Sequence, residues 1–233
     1  MGFRLGSIPV KIHFSFFMTA VLLSGRWNDP ALVAEWAAVM LVSVMIHELG
    51  HALMGRAFGL APRIDLHGMG GTTSWTQARG TITPAKSVLI SVAGPGVGIL
   101  VGTITYFVLV NGVGPETTWR LLGRDIAAAD LTQQIALDVI WINAIWGFVN
   151  LLPVLPMDGG NVLLSVLNAA TKGNGERPTR LVSIATALVG GALAFLVYHQ
   201  WWPALLAALF AYDNFRALRA LSAAQHASPT PLV

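Results

Sequence analysis

The chain has 233 residues, of which 55% are apolar and only 11% charged, and its mean hydropathy is +0.65. That balance excludes an ordinary soluble domain and marks an integral membrane protein, with the lipid bilayer as its surroundings. A net charge of +3 and a pI near 9.7 would also suit a nucleic-acid binder, but the basic residues follow the loops and form no stripe or arm, which excludes that class.

Spans need about 20 apolar residues each, and the sequence offers about six of them, near residues 8–25, 32–58, 84–110, 133–152, 180–199 and 201–219. The expected fold class is therefore an all-α polytopic membrane protein, organised as one membrane-embedded domain over residues 1–233 with its core at about 32–170 and no soluble accessory domain. The first span has no clear small-residue cleavage site and is expected to be retained. With residue 1 in the cytoplasm, eleven of the fourteen Lys and Arg fall on the cytoplasmic side, against Arg26, Arg120 and Arg124 on the other. This positive-inside bias accounts for the net charge through topology.

The second span contains His47-Glu48-Leu49-Gly50-His51. A helix advances about 100° per residue, so His47 and His51 leave nearly one face a turn apart, where two imidazoles can grip one zinc ion. Glu48 stands on the adjoining side, where a carboxylate can act as general base. Ionisable groups inside a span are expensive and point to function.

The connection at residues 60–83 begins with Ile64, Asp65, Leu66 and His67 in alternation. It continues through Gly68-Met69-Gly70-Gly71 into strand formers at 72–76, which predicts a small β-hairpin between the second and third helices; a disordered connector is the alternative. In the third span Gly94, Gly98 and Gly102 recur every four residues and give one smooth helix face for close packing. Residues 111–132, with Glu116, Arg120, Arg124, Asp125 and Asp130, are expected to be a solvated loop with a short surface helix. Trp27 and Trp36 flank the start of the second span, and Trp201 and Trp202 fall between the last two, as interfacial anchors.

Two histidines leave a catalytic zinc short of a protein ligand, and the absence of cysteine restricts the third to His, Asp or Glu. Asp158 follows a nearly continuous apolar run and lies in Asn150-Leu-Leu-Pro-Val-Leu-Pro-Met-Asp158-Gly159-Gly160. Pro153 and Pro156 prevent regular helix there, and broken backbone at membrane depth is tolerated only where it lines a cavity or is buried in protein. Asp158 is the candidate third ligand; a helix N-cap is its alternative role. His13, His67, His199 and His226 are expected to be interfacial, surface or tail residues.

With these residues in view the chain resembles the site-2 protease family of intramembrane zinc metalloproteases. The resemblance rests on His-Glu-Leu-Gly-His at 47–51, Gly70-Gly71, Ala93-Gly94-Pro95 and Asn150 to Gly159, in the family's order; the opening Ile8-Pro-Val-Lys-Ile-His13 is similar to its shorter bacterial members. It implies one zinc held by His47, His51 and Asp158, with Glu48 as the catalytic carboxylate and Asn150 orienting the substrate or the reacting carbonyl. It further implies hydrolysis of peptide bonds in single-span membrane-protein substrates of a bacterial cytoplasmic membrane; access from the cytoplasm is expected from the charge bias and from the motif's place about seven residues before the cytoplasmic end of its helix. The PDZ and CBS domains of larger relatives have no counterpart in these residues. The rival readings are a zinc-binding or zinc-transport membrane protein, disfavoured because no chain of His or acids crosses the other spans, and a lapsed relative, disfavoured by the intact Glu48.

Overall fold

The computed structural model describes residues 1–78, 82–123 and 129–227; Arg79, Arg124 and Asp125 lie outside the described residues, as does the side chain of His226. Two compact units are present, residues 1–82 with 92–149 and residues 83–91 with 150–233.

In the first unit, strands β1 (Gly2–Leu5) and β2 (Ile8–Ile12) lead into helices α1 (Phe14–Ser24) and α2 (Pro30–Ala57), and β3 (Leu60–His67) and β4 (Gly70–Ala78) follow. The strands form one sheet in the order β1-β2-β3-β4, antiparallel except where β2 runs parallel to β3. Helix α2 starts sharply because the Asp29 carboxylate accepts from the amides of Ala31 and Leu32 at 2.9 and 3.3 Å, and Pro30 takes the first turn, where a missing N–H costs nothing. Ile8 and Val10 on β2 and Ile64 and Leu66 on β3 turn one sheet face onto Phe16 and Ala52, with Met40, Leu41, Val44 and Leu49 packed around them. The expected hairpin is thus one half of a larger sheet.

The expected first span over residues 8–25 is corrected by this sheet. Ile8, Val10 and Ile12 alternate with Pro9 and Lys11, a period-two pattern that pairs with β3, and only the 11 residues of α1 are helical. At 1.5 Å per residue α1 is about 16 Å long, half the roughly 30 Å of a hydrocarbon core. Among the described residues three helices are long and apolar enough to cross a membrane: α2, α3 (Pro84–Val113) and α8 (Glu176–Leu196). The expected count of six is not confirmed. The fourth expected span is α5 (Leu131–Ile140), a π-helical turn (Trp141–Ile145) and α6 (Trp146–Asn150) in succession.

The glycine face expected on α3 is used. A side chain at Gly98 would press on the Asn143 carbonyl and one at Gly102 would overlap Ala144, so the π turn lies against α3 at backbone distance. Asn143 is buried and donates to the Ser43 hydroxyl on α2 at 2.7 Å and to the Val139 carbonyl at 3.0 Å. Between α3 and α5, helix α4 (Pro115–Leu122) has an apolar side: Leu121 packs with Leu109, Leu137 and Ile140. The short helix expected there is therefore anchored to the bundle rather than merely solvated.

A charged cluster ties the loop before α2 to α5. Arg26 meets Asp138 through two bonds of 2.7 and 2.8 Å and Glu35 through one of 3.0 Å, and its guanidinium lies 5.7 Å from the Trp36 ring centre. The Glu35 and Asp138 side chains are only 9% and 5% exposed. Replacing Arg26 by Met leaves two buried carboxylates without their cation, and such losses cost about 3–5 kcal/mol. The expected result is a clear drop in the unfolding temperature of the Arg26→Met protein in detergent, measured by Trp fluorescence on heating.

In the second unit the segment at 151–157 is irregular, as Pro153 and Pro156 predict, and leads into α7 (Asp158–Ala170), then α8 and α9 (Trp201–Ala227). Its backbone groups are bonded to neighbouring helices. The Leu155 amide donates to the Ser183 hydroxyl of α8 at 3.0 Å, and the Leu155 carbonyl accepts from the Asn214 amide of α9 at 2.7 Å. Ser183 and Asn214 are buried, and Val154 packs on Ala187 and Ala211 beside them. Gly159 and Gly160 lie against the backbone of Leu151 and Val154, where a Cβ has no room, so the irregular segment folds back tightly over the start of α7.

Candidate metal centre

The His47 and His51 rings project one above the other from α2, with centres 4.8 Å apart at 78°. Their Nε2 atoms are 3.1 Å apart. Two nitrogens that each bind one tetrahedral zinc at about 2.0–2.1 Å would be about 3.3 Å apart, so the donor pair fits that ion with little adjustment. His51 is buried and His47 half-buried. Gly94 explains how closely His51 is held: a side chain there would overlap the imidazole ring, and a side chain at Gly50 would strike the Ala93 carbonyl. The Ala93-Gly94 pair thus forms a bare backbone surface against which α2 presents its second histidine.

Glu48, only 4% exposed, turns towards β4. The Thr73 hydroxyl donates to Glu48 Oε2 at 2.7 Å, with the Glu48 carbonyl also in reach at 3.1 Å, and Gly71 leaves the space that the carboxylate fills, since a Cβ there would overlap it. Thr73 was not singled out in the sequence. The available signal was its place on the hairpin after Gly70-Gly71, where alternate residues of β4 face inwards: Gly71, Thr73 and Trp75 are half-buried, and Thr72 and Ser74 exposed. Trp75 in turn covers Gly55 near the end of α2.

Asp158 is the first residue of α7 and half-buried. The N-cap position belongs to Met157, with no side-chain capping bond, so the alternative of a capping carboxylate is not realised. The His47 and His51 nitrogens are close enough to share one metal ion. A pair of imidazoles with one carboxylate suits zinc chemistry.

Asn150 ends α6 and is half-buried. The other histidines lie elsewhere. His13 caps the start of α1, 3.5 Å from Asp65, and His67 bonds Thr72 at 2.8 Å across the hairpin turn. His199 lies between α8 and α9 with φ of 54°.

A sequence-family model described as peptidase family M50 matches residues 35–197. The chain belongs to peptidase family M50. It is 27% identical over 169 residues to a zinc metalloprotease of Methanocaldococcus jannaschii, a stretch covering 71% of this chain and 44% of that one. It is 31% identical over 181 residues to a Synechocystis protein carried under a provisional zinc metalloprotease name, covering 70% and 44%. The chain thus spans under half the length of these curated relatives. Among solved structures it matches the site-2 protease of M. jannaschii with a TM-score of 0.61 and 20% identity, covering 100% of this chain and 98% of that one, which shows the shared fold.

Proposed function

We propose that this M50 chain is an intramembrane zinc metalloprotease that hydrolyses peptide bonds within or near the transmembrane segments of single-span membrane proteins. The observation that carries the reading is the pair of imidazole nitrogens of His47 and His51, 3.1 Å apart on an apolar helix long enough to cross a membrane, next to a buried Glu48. In this reading His47, His51 and Asp158 hold one zinc per chain. When bound there, zinc supplies Lewis acidity, polarising the scissile carbonyl and lowering the pKa of a water towards about 7.

The protein's own groups do the rest. Glu48 takes a proton from the attacking water and hands it to the departing amine. Thr73 fixes one carboxylate oxygen, so the carboxyl group does not rotate away between the two transfers. Asn150 orients the substrate or its reacting carbonyl. His51 lies six residues before the end of α2, about 9 Å along the axis, so water reaches the site by a short route from that end, assigned by the charge bias to the cytoplasm of a bacterial inner membrane.

A spanning substrate has its amides bonded within a helix and must unwind to be cut. β4 is an edge strand, and an extended segment added to it would regain main-chain bonds. Proline in place of Thr72 or Ser74 should therefore lower cleavage while zinc content stays constant; undiminished cleavage would remove β4 from substrate binding. Thr73→Val should lower kcat about 10-fold through loss of a bond to a charged group, with KM and zinc content unchanged and Thr73→Ser restoring the rate.

The reading as a whole is tested on the purified chain in detergent, by zinc analysis and a panel of single-span substrates with and without a chelator. Cleavage that stops on chelation and returns with zinc supports it. Zinc uptake into vesicles with every substrate intact would favour the carrier.

A further inference from the structure

The sheet face turned away from α2 carries cations that the proposed chemistry does not use. Ile8, Val10, Ile64 and Leu66 are spent on the core, so their neighbours along β2 and β3 point outwards. Lys11 is opposite Gly2 on one side and Asp65 on the other; Arg4, opposite Pro9, and Arg63, two residues before Asp65, flank it diagonally. Diagonal neighbours in a sheet are about 7–8 Å apart, within reach of long side chains. All three cations are exposed. Arg63 is held by Asp65 at 2.9 Å, whereas Arg4 reaches only the Ser7 carbonyl, at 2.9 Å. Neither Arg4 nor Lys11 has a carboxylate partner among the described residues. An open depression of about 460 Å³ lies over the group, lined by Phe3, Arg4, Pro9, Lys11 and Arg63.

The depth of this depression selects its occupant. Trp75, the register partner of Pro62, covers Gly55, two residues before the end of α2. Lys11 is level with Asp65, three residues further along β3 or about 10 Å. The 28 residues of α2 extend about 42 Å against a hydrocarbon core of about 30 Å. Lys11 therefore starts a few ångströms inside the apolar layer, and its stem lifts the ammonium to the level of lipid phosphates. Phe3 and Leu5, the register partners of Val10 and Ile8, leave the other face of the edge strand and are 43% and 38% exposed, so this edge carries cations on one face and apolar side chains on the other.

We propose that Arg4, Lys11 and Arg63 form a binding site for the headgroup of an anionic phospholipid, in the leaflet where α2 ends. The phosphate sits between Lys11 and Arg4. An acidic polypeptide has complementary charge but would have to descend to the level of the lipid phosphates to reach Lys11. The inference is independent of the proteolytic reading.

The test is native mass spectrometry of the full chain in detergent, titrated with phosphatidylglycerol or phosphatidylcholine of identical acyl chains. Phosphatidylglycerol adducts should survive activation that strips phosphatidylcholine. Arg4→Gln and Lys11→Gln should each weaken phosphatidylglycerol binding about five-fold and together about 25-fold, the size expected for single charges near an anionic surface. Lys11→Arg should retain binding, which separates loss of charge from loss of fold, and Arg219→Gln should leave it unchanged. Equal retention of the two lipids, or unaltered phosphatidylglycerol binding in the double variant, overturns the site. Preferential capture of a hexaglutamate peptide over phosphatidylglycerol overturns the lipid as its occupant.

Discussion

Glu48→Gln should abolish detectable cleavage of a single-span substrate, with a fall in kcat of at least 100-fold, while the purified variant keeps about one zinc per chain. The amide fills the same space under Gly71 and still accepts from Thr73, so the fold and the imidazole pair are undisturbed. It has no carboxylate to receive a proton, and general acid–base catalysis contributes about 10²–10⁴ in rate. The paired measurement is an initial cleavage rate and a zinc determination on one preparation. Retained cleavage would end the assignment of Glu48 as the base. Loss of zinc together with activity would show instead that Glu48 supports the metal.

The second large effect is expected at Asp158. Asp158→Ala removes the proposed third ligand and leaves two neutral imidazoles for a doubly charged ion. Losing partners outside the ligand shell costs metalloenzymes about 10–100-fold in metal affinity, so loss of a ligand should cost at least about 100-fold. Competition against a fluorescent zinc chelator reads this directly. A variant that binds zinc as tightly as the original chain would require a different third ligand.

These two residues also mark what could be seen in the residues alone. His47, Glu48 and His51 lie within five positions of one helix, so helical periodicity suffices to place them. Asp158 stood out because Pro153 and Pro156 interrupt an apolar run, and a carboxylate beside broken backbone inside a membrane needs a reason to exist. The partners that hold these groups were hidden, because each is an ordinary residue whose role depends on a distant segment. Thr73 meets Glu48 across 25 positions and Asn214 meets Leu155 across 59.

The sheet was half legible. The hairpin of β3 and β4 is local and announced by Gly70-Gly71, but β2 pairs in parallel with β3 after two intervening helices, and parallel pairing leaves no turn signature. Its alternation was present at Ile8, Val10 and Ile12, and it was absorbed into an apolar stretch counted as a span. The Arg26–Asp138 pair was equally silent, since a lone arginine in a loop and a lone aspartate 112 positions later give no reason to expect a meeting.

The clasp of Ser183 and Asn214 on the two sides of the Leu155 peptide bears on how variants fail. A peptide group stripped of its partners away from water costs several kcal/mol, so damage at either position weakens assembly of the fold before it weakens chemistry. Cells expressing such forms would hold little protein with near-normal turnover per molecule, whereas alterations at Glu48 would leave abundant, silent protein. Comparing abundance with specific activity across a mutant library would therefore separate scaffold from reaction centre without any structure determination.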